Sequence, residues 1–175
     1  AWLASQHAED VARKKRRCHM MDAELQIDDT VCRLTFVDNA PRRIEFPISM
    51  AQLIRDVLTH TPPTALQVER AIALIEDAIM PFATQIPPAL HVRSASAAVQ
   101  QIATAALGSP AAASDADLGI EAIEALFSRW VRMVNGAPAA REGVPEDRKF
   151  AAGVILLREC MHHLRWAALR WSPRR

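Results

Sequence analysis

Residues 24–48 alternate apolar and polar side chains in three short runs, and no other feature constrains the fold as much. The apolar positions are Leu25 and Ile27, then Cys32, Leu34 and Phe36, then Ile44 and Phe46. Turn-forming residues separate the runs, namely Asp28 and Asp29, then residues 38–41. The pattern predicts a three-stranded antiparallel meander with one apolar face. Because so small a sheet is marginal alone, helices must cover that face.

Helical patterns follow the meander. Ser49 and Thr64 are favourable N-cap residues, and they predict helices over 50–60 and 65–80. Residues 90–94 read as a short strand or an extended linker. Further helices are predicted over 96–107, 115–134 and 146–171. The predicted fold class is therefore α+β and mostly helical, with an N-terminal three-stranded antiparallel meander packed against a bundle of four to five helices.

The first twenty residues differ in character from the rest of the chain. They carry its dense basic run, Arg13, Lys14, Lys15, Arg16 and Arg17. We expect residues 21–175 to form a single globular α+β domain, because their number and apolar content suffice for one core. Residues 1–20 are then either a flexible basic arm or sequence upstream of a native start at Met20 or Met21.

Charge disfavours nucleic acid as a partner of the predicted domain. Residues 1–20 hold five of the 21 Lys and Arg residues and two of the 20 Asp and Glu residues. The remainder has 16 basic and 18 acidic residues, a formal charge of −2. A nucleic-acid-associated regulator would therefore have to use the basic arm at residues 13–17.

Several features together predict a cytoplasmic protein without a membrane partner. The sequence has no apolar run of about 18 residues, and its basic cluster follows the N-terminal apolar residues, which is the reverse of a secretory signal. The three cysteines, Cys18, Cys32 and Cys160, lack a CxxC spacing and are odd in number. This usage fits a reducing compartment.

A cluster of chemically active side chains lies near the C-terminus. Glu159, Cys160, His162 and His163 fall within five positions of the last predicted helix. We treat Glu159, His162 and His163 as candidate metal ligands, because carboxylate and imidazole groups one helical turn apart share one side of a helix. Further ligands would have to come from His60, His91 or Cys32. The simpler alternative is an ion pair between Glu159 and His163 at the i,i+4 spacing.

The same helix has two apolar sides. One seam repeats every 3.5 residues through Phe150, Val154, Leu157, Met161, Leu164, Ala168 and Trp171. Ile155, Leu156, Trp166 and Leu169 lie away from that seam. They predict either a partner interface or a helix buried on all sides.

The sequence contains none of three common motifs that would indicate a known catalytic chemistry. The sequence lacks the GxGxxG and GxxxxGK[ST] nucleotide motifs and the GxSxG nucleophile motif. This absence favours a non-catalytic interaction or accessory protein, a homodimer or a subunit of a complex that uses the C-terminal helix. The first alternative is a metal-binding protein or enzyme with a His/Glu/Cys site on that helix, and the second is the nucleic-acid regulator. The sequence identifies no cofactor.

Overall fold

A computed structural model describes residues 22–37, 42–87, 90–108, 115–166 and 168–173. The strands are β1 (Asp22–Ile27), β2 (Cys32–Val37), β3 (Arg43–Phe46), β4 (His91–Ser94), β5 (Ala116–Gly119) and β6 (Ala168–Trp171). The helices are α1 (Met50–Asp56), α2 (Ala65–Ile79), α3 (Ala97–Leu107), α4 (Ile120–Val134), α5 (Ala139–Glu142) and α6 (Arg148–His163), and a 3₁₀ helix (Met80–Gln85) follows α2.

The strands form one mixed sheet in the order β3-β2-β1-β4-β6-β5. β1, β2 and β3 are the antiparallel meander, and β4 and β6 then continue the sheet parallel to β1. β5 closes the far side antiparallel to β6. The carboxyl ends of β1, β4 and β6 therefore share one edge, and this arrangement creates the cleft described below.

The sheet has one buried face and one partly open face. In β1, Ala23, Leu25 and Ile27 are fully buried, whereas the intervening Glu24 is exposed. β3, β4 and β6 alternate in the same way. The helices cover the apolar face, so the core lies between them and the sheet.

α6 lies at the centre of the helical layer. It packs against α1, α2, α3 and α4, and nearly all of its side chains from Phe150 to Met161 are buried. Its first turn is capped by the Asp147 carboxylate, which accepts a hydrogen bond from the Phe150 amide at 2.9 Å. A helix surrounded by other helices is apolar on several sides, which accounts for the burial of Ile155 and Leu156 outside the predicted seam.

The α+β class is confirmed, and so is the meander, but the extent of the sheet differs from the prediction. The meander is half of a six-stranded sheet rather than a complete one. Residues 90–94 supply β4, and residues 116–119, predicted to be helical, form β5.

The last helix is also shorter than predicted. α6 ends at His163, and after a turn in which Arg165 has φ 59° the chain continues as β6. Leu169 and Trp171 are buried, but they belong to this strand and not to a helix. The 3.5-residue repeat therefore does not continue past Leu164, since Ala168, which the repeat placed in the seam, is exposed and Leu169, which it left out, is buried.

The basic arm at Arg13, Lys14, Lys15, Arg16 and Arg17 lies outside the described residues, as does Cys18. None of the helices formed by described residues has the length and apolar character needed to cross a membrane.

Candidate functional site

Two groups of polar side chains lie near opposite ends of α6. The helix has 16 residues, so it is about 24 Å long. Lys149 in its first turn reaches a cleft at the strand ends, and Glu159 and His163 near its last turn meet α2. The two groups are built by different neighbours and are described separately.

Glu76, Glu159 and His163 form a compact cluster between α2 and α6. The His163 Nε2 atom is 3.0 Å from the Glu76 Oε1 atom and 3.2 Å from the Glu159 Oε2 atom. One ligand-type atom from each of the three residues lies within 4.8 Å of the other two. The cluster opens to solvent on one side, because the Glu76 side chain is 42% exposed and the His163 side chain 22% exposed.

Glu159 is the most unusual member, since its side chain is only 1% exposed. Its Oε1 atom accepts a hydrogen bond from Arg158 Nη1 at 2.6 Å. Among the described residues, its buried Oε2 atom has no hydrogen-bond partner. The His163 Nε2 atom is close enough to this oxygen for an ion pair, but the hydrogen bond of His163 is made with Glu76. A buried polar atom without a hydrogen bond costs about 1–3 kcal/mol.

Arg158 holds the Glu159 carboxylate from the opposite side. Its guanidinium also donates to Glu124 Oε1 at 3.1 Å and lies 4.9 Å from the centre of the Phe127 ring. Burial by itself lowers the pKa of Arg158, but its bonds to Glu159 and Glu124 outweigh burial and raise it. Arg158 is therefore a permanent positive charge that fixes one oxygen of Glu159 and leaves the other facing His163.

The structure brings together two of the three predicted metal ligands, Glu159 and His163. His162 is exposed, and its ring meets that of His163 edge-on with 5.0 Å between the ring centres. Sequence reasoning missed Glu76 because it treated the residue as a solvated carboxylate. Its spacing of four residues from Ile72 and three from Ile79 was an available signal that it borders the packed face of α2.

The other suggested ligands lie elsewhere. The His60 Nδ1 atom lies 2.8 Å from the Gln67 Nε2 atom. The His91 Nδ1 atom lies 3.7 Å from the Asp22 Oδ1 atom on the open face of the sheet. Cys32 is buried beside Cys160. None of these three residues belongs to the cluster found in the described part of the chain.

The predicted interface residues are core residues. Ile155, Leu156 and Leu169 have no exposed surface, and Trp166 is 1% exposed. They are buried against this chain's own sheet and helices, so the alternative of central burial holds for them. Their burial leaves no apolar surface there for a partner, and an oligomeric state stays a prediction.

A cleft of about 580 Å³ lies at the carboxyl ends of β1 and β4. Its lining includes the β1–β2 turn, the start of α3 and Lys149 of α6. Ligands of open sheets with parallel strands bind in the crevice outside the carboxyl ends of those strands. The cleft lies at the corresponding position of this sheet.

The Asp28 carboxylate builds the turn that borders the cleft. Its Oδ1 atom accepts hydrogen bonds from the backbone amides of Thr30 and Val31, both at 2.9 Å, and its Oδ2 atom accepts one from Gln26 at 2.7 Å. Burial by itself raises the pKa of Asp28, but these hydrogen bonds outweigh burial and lower it. Asp28 thus stays ionised, and its carboxylate oxygens are occupied by hydrogen bonds within the turn.

Two further groups face the cleft, and they make fewer hydrogen bonds than Asp28 does. Lys149 Nζ lies 2.6 Å from Asp29 Oδ2, and both side chains are at least half exposed. α3 begins at Ser96, whose side chain does not cap the helix but accepts from the Ile27 amide at 3.0 Å. The first-turn amides of α3, at residues 97–99, therefore lack a side-chain cap within the described structure.

Comparison with known proteins gives a likeness in fold alone. No protein-family profile matches the sequence. No curated protein sequence matches it either.

Solved structures with the same fold do exist. A Ppx/GppA family member from Aquifex aeolicus aligns with a TM-score of 0.66 and 15% identity over 87% of this chain and 52% of its own. An exopolyphosphatase-like protein aligns at 0.68 and 15%, over 90% of this chain and 57% of its own. An exopolyphosphatase from Cytophaga hutchinsonii aligns at 0.64 and 13%, over 88% and 53%. The chain has the fold of part of these proteins. It spans about half of their length.

These likenesses correct the functional prediction. The chain was predicted to be a non-catalytic interaction or accessory protein, a homodimer or a subunit of a complex. The non-catalytic part of that prediction is wrong, because the fold is shared with proteins described as a phosphatase and an exopolyphosphatase. The oligomeric part stays a prediction. The likeness favours the alternative prediction of a metal-binding protein or an enzyme.

Proposed function

We propose that this chain forms one half of a phosphatase-type enzyme and that the cleft at the ends of β1 and β4 receives a chain of phosphate groups. The observation that carries the proposal is the shared fold, which extends over 87–90% of this chain in the Ppx/GppA family member, the exopolyphosphatase-like protein and the exopolyphosphatase compared above. Since the chain covers about half of each of those proteins, the proposed enzyme needs a second half, from the same polypeptide or from another.

The chemistry of the cleft fits an anionic ligand. The first amides of a helix point outward without intrahelical partners, and the helix dipole adds partial positive charge there. In α3 the first two residues, Ala97 and Ala98, line the cleft, and the first-turn amides lack a side-chain cap. Lys149 adds a full positive charge to the same cleft. Phosphate groups bind at helix N-termini for these reasons.

The carboxylates of the cleft suit a phosphate chain that carries magnesium. Mg²⁺ in proteins is commonly held by one or two carboxylates together with substrate phosphates. Asp29 can take that role, because it is exposed and paired with Lys149 on the surface. Exposed ion pairs contribute only about 0–1 kcal/mol. A phosphate chain bound with Mg²⁺ would separate the pair with little loss, with its metal towards Asp29 and its phosphates towards Lys149.

The test is binding of inorganic polyphosphate of defined length, with Mg²⁺, measured by isothermal titration calorimetry. Binding is the decisive measurement because one half of a cleft can hold a ligand without completing a turnover. We expect Lys149→Ala to weaken binding about 10-fold to 100-fold, as expected for loss of a charge-assisted hydrogen bond.

Arg148→Ala is the matched control. Arg148 is the neighbouring exposed residue of the same helical turn, carries the same charge and does not line the cleft. Equal loss in both variants would mean that the ligand responds to overall charge, and absence of polyphosphate binding by the unaltered chain would contradict the proposal. Phosphate release should be followed in parallel, and any activity should respond to the two substitutions in the same order.

A further inference from the structure

We propose that Glu76, Glu159 and His163 bind a divalent cation of the zinc class, at a site separate from the strand-end cleft. The site does not depend on the proposed phosphatase function, because it is built by α2 and the end of α6. Glu159 lies ten residues beyond Lys149, which is about 15 Å along the helix.

The two distances from His163 to the carboxylates match the edges of a tetrahedral site. Zinc lies about 2.0–2.1 Å from nitrogen and oxygen ligands, so two ligands of a tetrahedron are about 3.3 Å apart. His163 Nε2 is 3.0 Å from Glu76 Oε1 and 3.2 Å from Glu159 Oε2. A cation could therefore be accommodated by small adjustments of the three side chains. Three protein ligands leave a fourth position for water.

The Glu159 Oε2 atom points to a ligand independently of the spacing. It is buried in the cluster and has no hydrogen bond from any described residue. His163 Nε2 carries one proton or one lone pair, so it cannot donate fully to both Glu76 and Glu159. A metal ion placed between the three residues would contact both carboxylates and the imidazole at once.

The local charges support the same conclusion. The group contains three carboxylates and one guanidinium: Arg158 pairs with Glu124 and Glu159, and Glu76 pairs with His163. With neutral His163 the group has a net charge of −2, and a divalent cation brings it to zero. Arg158 also orients the Glu159 carboxylate from behind, as outer hydrogen bonds do for metal ligands.

The donor set indicates which metal to test. An imidazole nitrogen favours zinc, iron, copper or nickel over magnesium and calcium, which prefer oxygen ligands alone. Zinc is the appropriate first probe because it accepts mixed nitrogen and oxygen ligands in a tetrahedron.

The experiment is titration of the metal-stripped chain with Zn²⁺, with stoichiometry and affinity measured by calorimetry. We expect one Zn²⁺ per chain. Loss of an outer hydrogen bond commonly weakens metal binding 10-fold to 100-fold, so loss of a ligand should weaken it by at least about 100-fold. Glu76→Gln and His163→Ala should both show this loss.

Neighbouring residues provide matched controls. His162→Ala removes the adjacent imidazole, and Asp77→Asn removes the carboxylate next to Glu76, and both side chains are exposed. Both controls should bind Zn²⁺ as the unaltered chain does. Glu76→Gln keeps the proposal testable if His163→Ala fails to fold, because Glu76 is at the solvent-facing side of the cluster.

Cobalt absorption reports on the geometry. Co²⁺ substituted for zinc in a tetrahedral site gives strong visible absorption, and we expect this signal in the unaltered chain and in both controls but not in Glu76→Gln. Failure of the unaltered chain to bind Zn²⁺, or binding that survives both ligand substitutions, would overturn the proposal. The cluster would then be an ion-paired histidine between two carboxylates.

Discussion

Asp28 shows how a single side chain fixes the loop beside the cleft. Its carboxylate accepts hydrogen bonds from two backbone amides of the turn, and these bonds stabilise the backbone conformation of residues 28–31. Asp29, its neighbour, makes one exposed ion pair with Lys149. The two adjacent aspartates therefore have different roles, one in building the turn and the other in facing a ligand.

We expect Asp28→Ala to lower the free energy of unfolding by about 1–3 kcal/mol, because two backbone amides lose their acceptor. Asp29→Ala should change it by no more than about 1 kcal/mol, since exposed ion pairs contribute little. Urea denaturation of both variants measures the difference. A loss from Asp29→Ala as large as that from Asp28→Ala would contradict the assigned roles.

The lowered pKa of Asp28 gives the turn a pH dependence. The unfolded chain binds this proton more tightly than the folded chain does, so acid favours unfolding. The stabilisation is present above the unfolded pKa of about 3.9 and is lost as the pH falls through the lower folded pKa. The stability difference between the unaltered chain and Asp28→Asn should therefore narrow on going from pH 7 to pH 3.

Cys32 and Cys160 should be unreactive thiols. The hydrogen bond with Cys160 and then burial raise the pKa of Cys32, and the thiolate is the reactive form. Iodoacetamide at pH 8 should leave both residues unmodified in the folded chain and label both in denaturant, as measured on their peptides by mass spectrometry. Rapid labelling of either residue under native conditions would show that these thiols are accessible.

At the scale of elements, the sequence predicted the strands whose patterns are local. β1, β2 and β3 follow one another through short turns, and their alternation is visible within 25 residues. β5 and β6 have four residues each. β6 pairs with β4, more than seventy residues earlier. An alternation of only four residues does not distinguish a strand from a helix. Whether such a segment forms a strand therefore depends on pairing with a partner strand that is distant in the sequence.

The packing of α6 can be tested at its one glycine. A Cβ atom at Gly153 would lie 3.5 Å from Ile102 Cδ1 and 3.7 Å from Ala98 Cβ, which is ordinary contact. We expect Gly153→Ala to leave stability unchanged or raise it by up to about 1 kcal/mol, since glycine is unfavourable within helices.

Gly153→Val is the matched comparison, because its two further methyl groups would overlap α3. It should lower the free energy of unfolding by about 1–3 kcal/mol, as overpacked cores do. Thermal denaturation distinguishes the two variants. If valine were tolerated as well as alanine, α6 would not be packed against α3 as described.

At the scale of the whole molecule, part of the candidate cation site was visible in the sequence and part was not. Glu159 and His163 share one side of a helix by their spacing alone. Glu76 comes 83 residues before Glu159, and its approach depends on how α2 packs against α6. The cleft was not predicted at all, because it forms only once β4 lies parallel to β1.

The measurement that tests the proposed function most directly is amide hydrogen exchange with and without Mg²⁺ and inorganic polyphosphate. Amides in the first turn of a helix lack intrahelical hydrogen bonds, so those at residues 97–99 report sensitively on a bound phosphate. We expect their exchange to slow along with that of residues 28–30, while the first turn of α2, capped by Thr64 away from the cleft, stays unchanged. Unchanged exchange at residues 97–99, or slowing confined to other parts of the chain, would contradict the assignment of this cleft as the phosphate site.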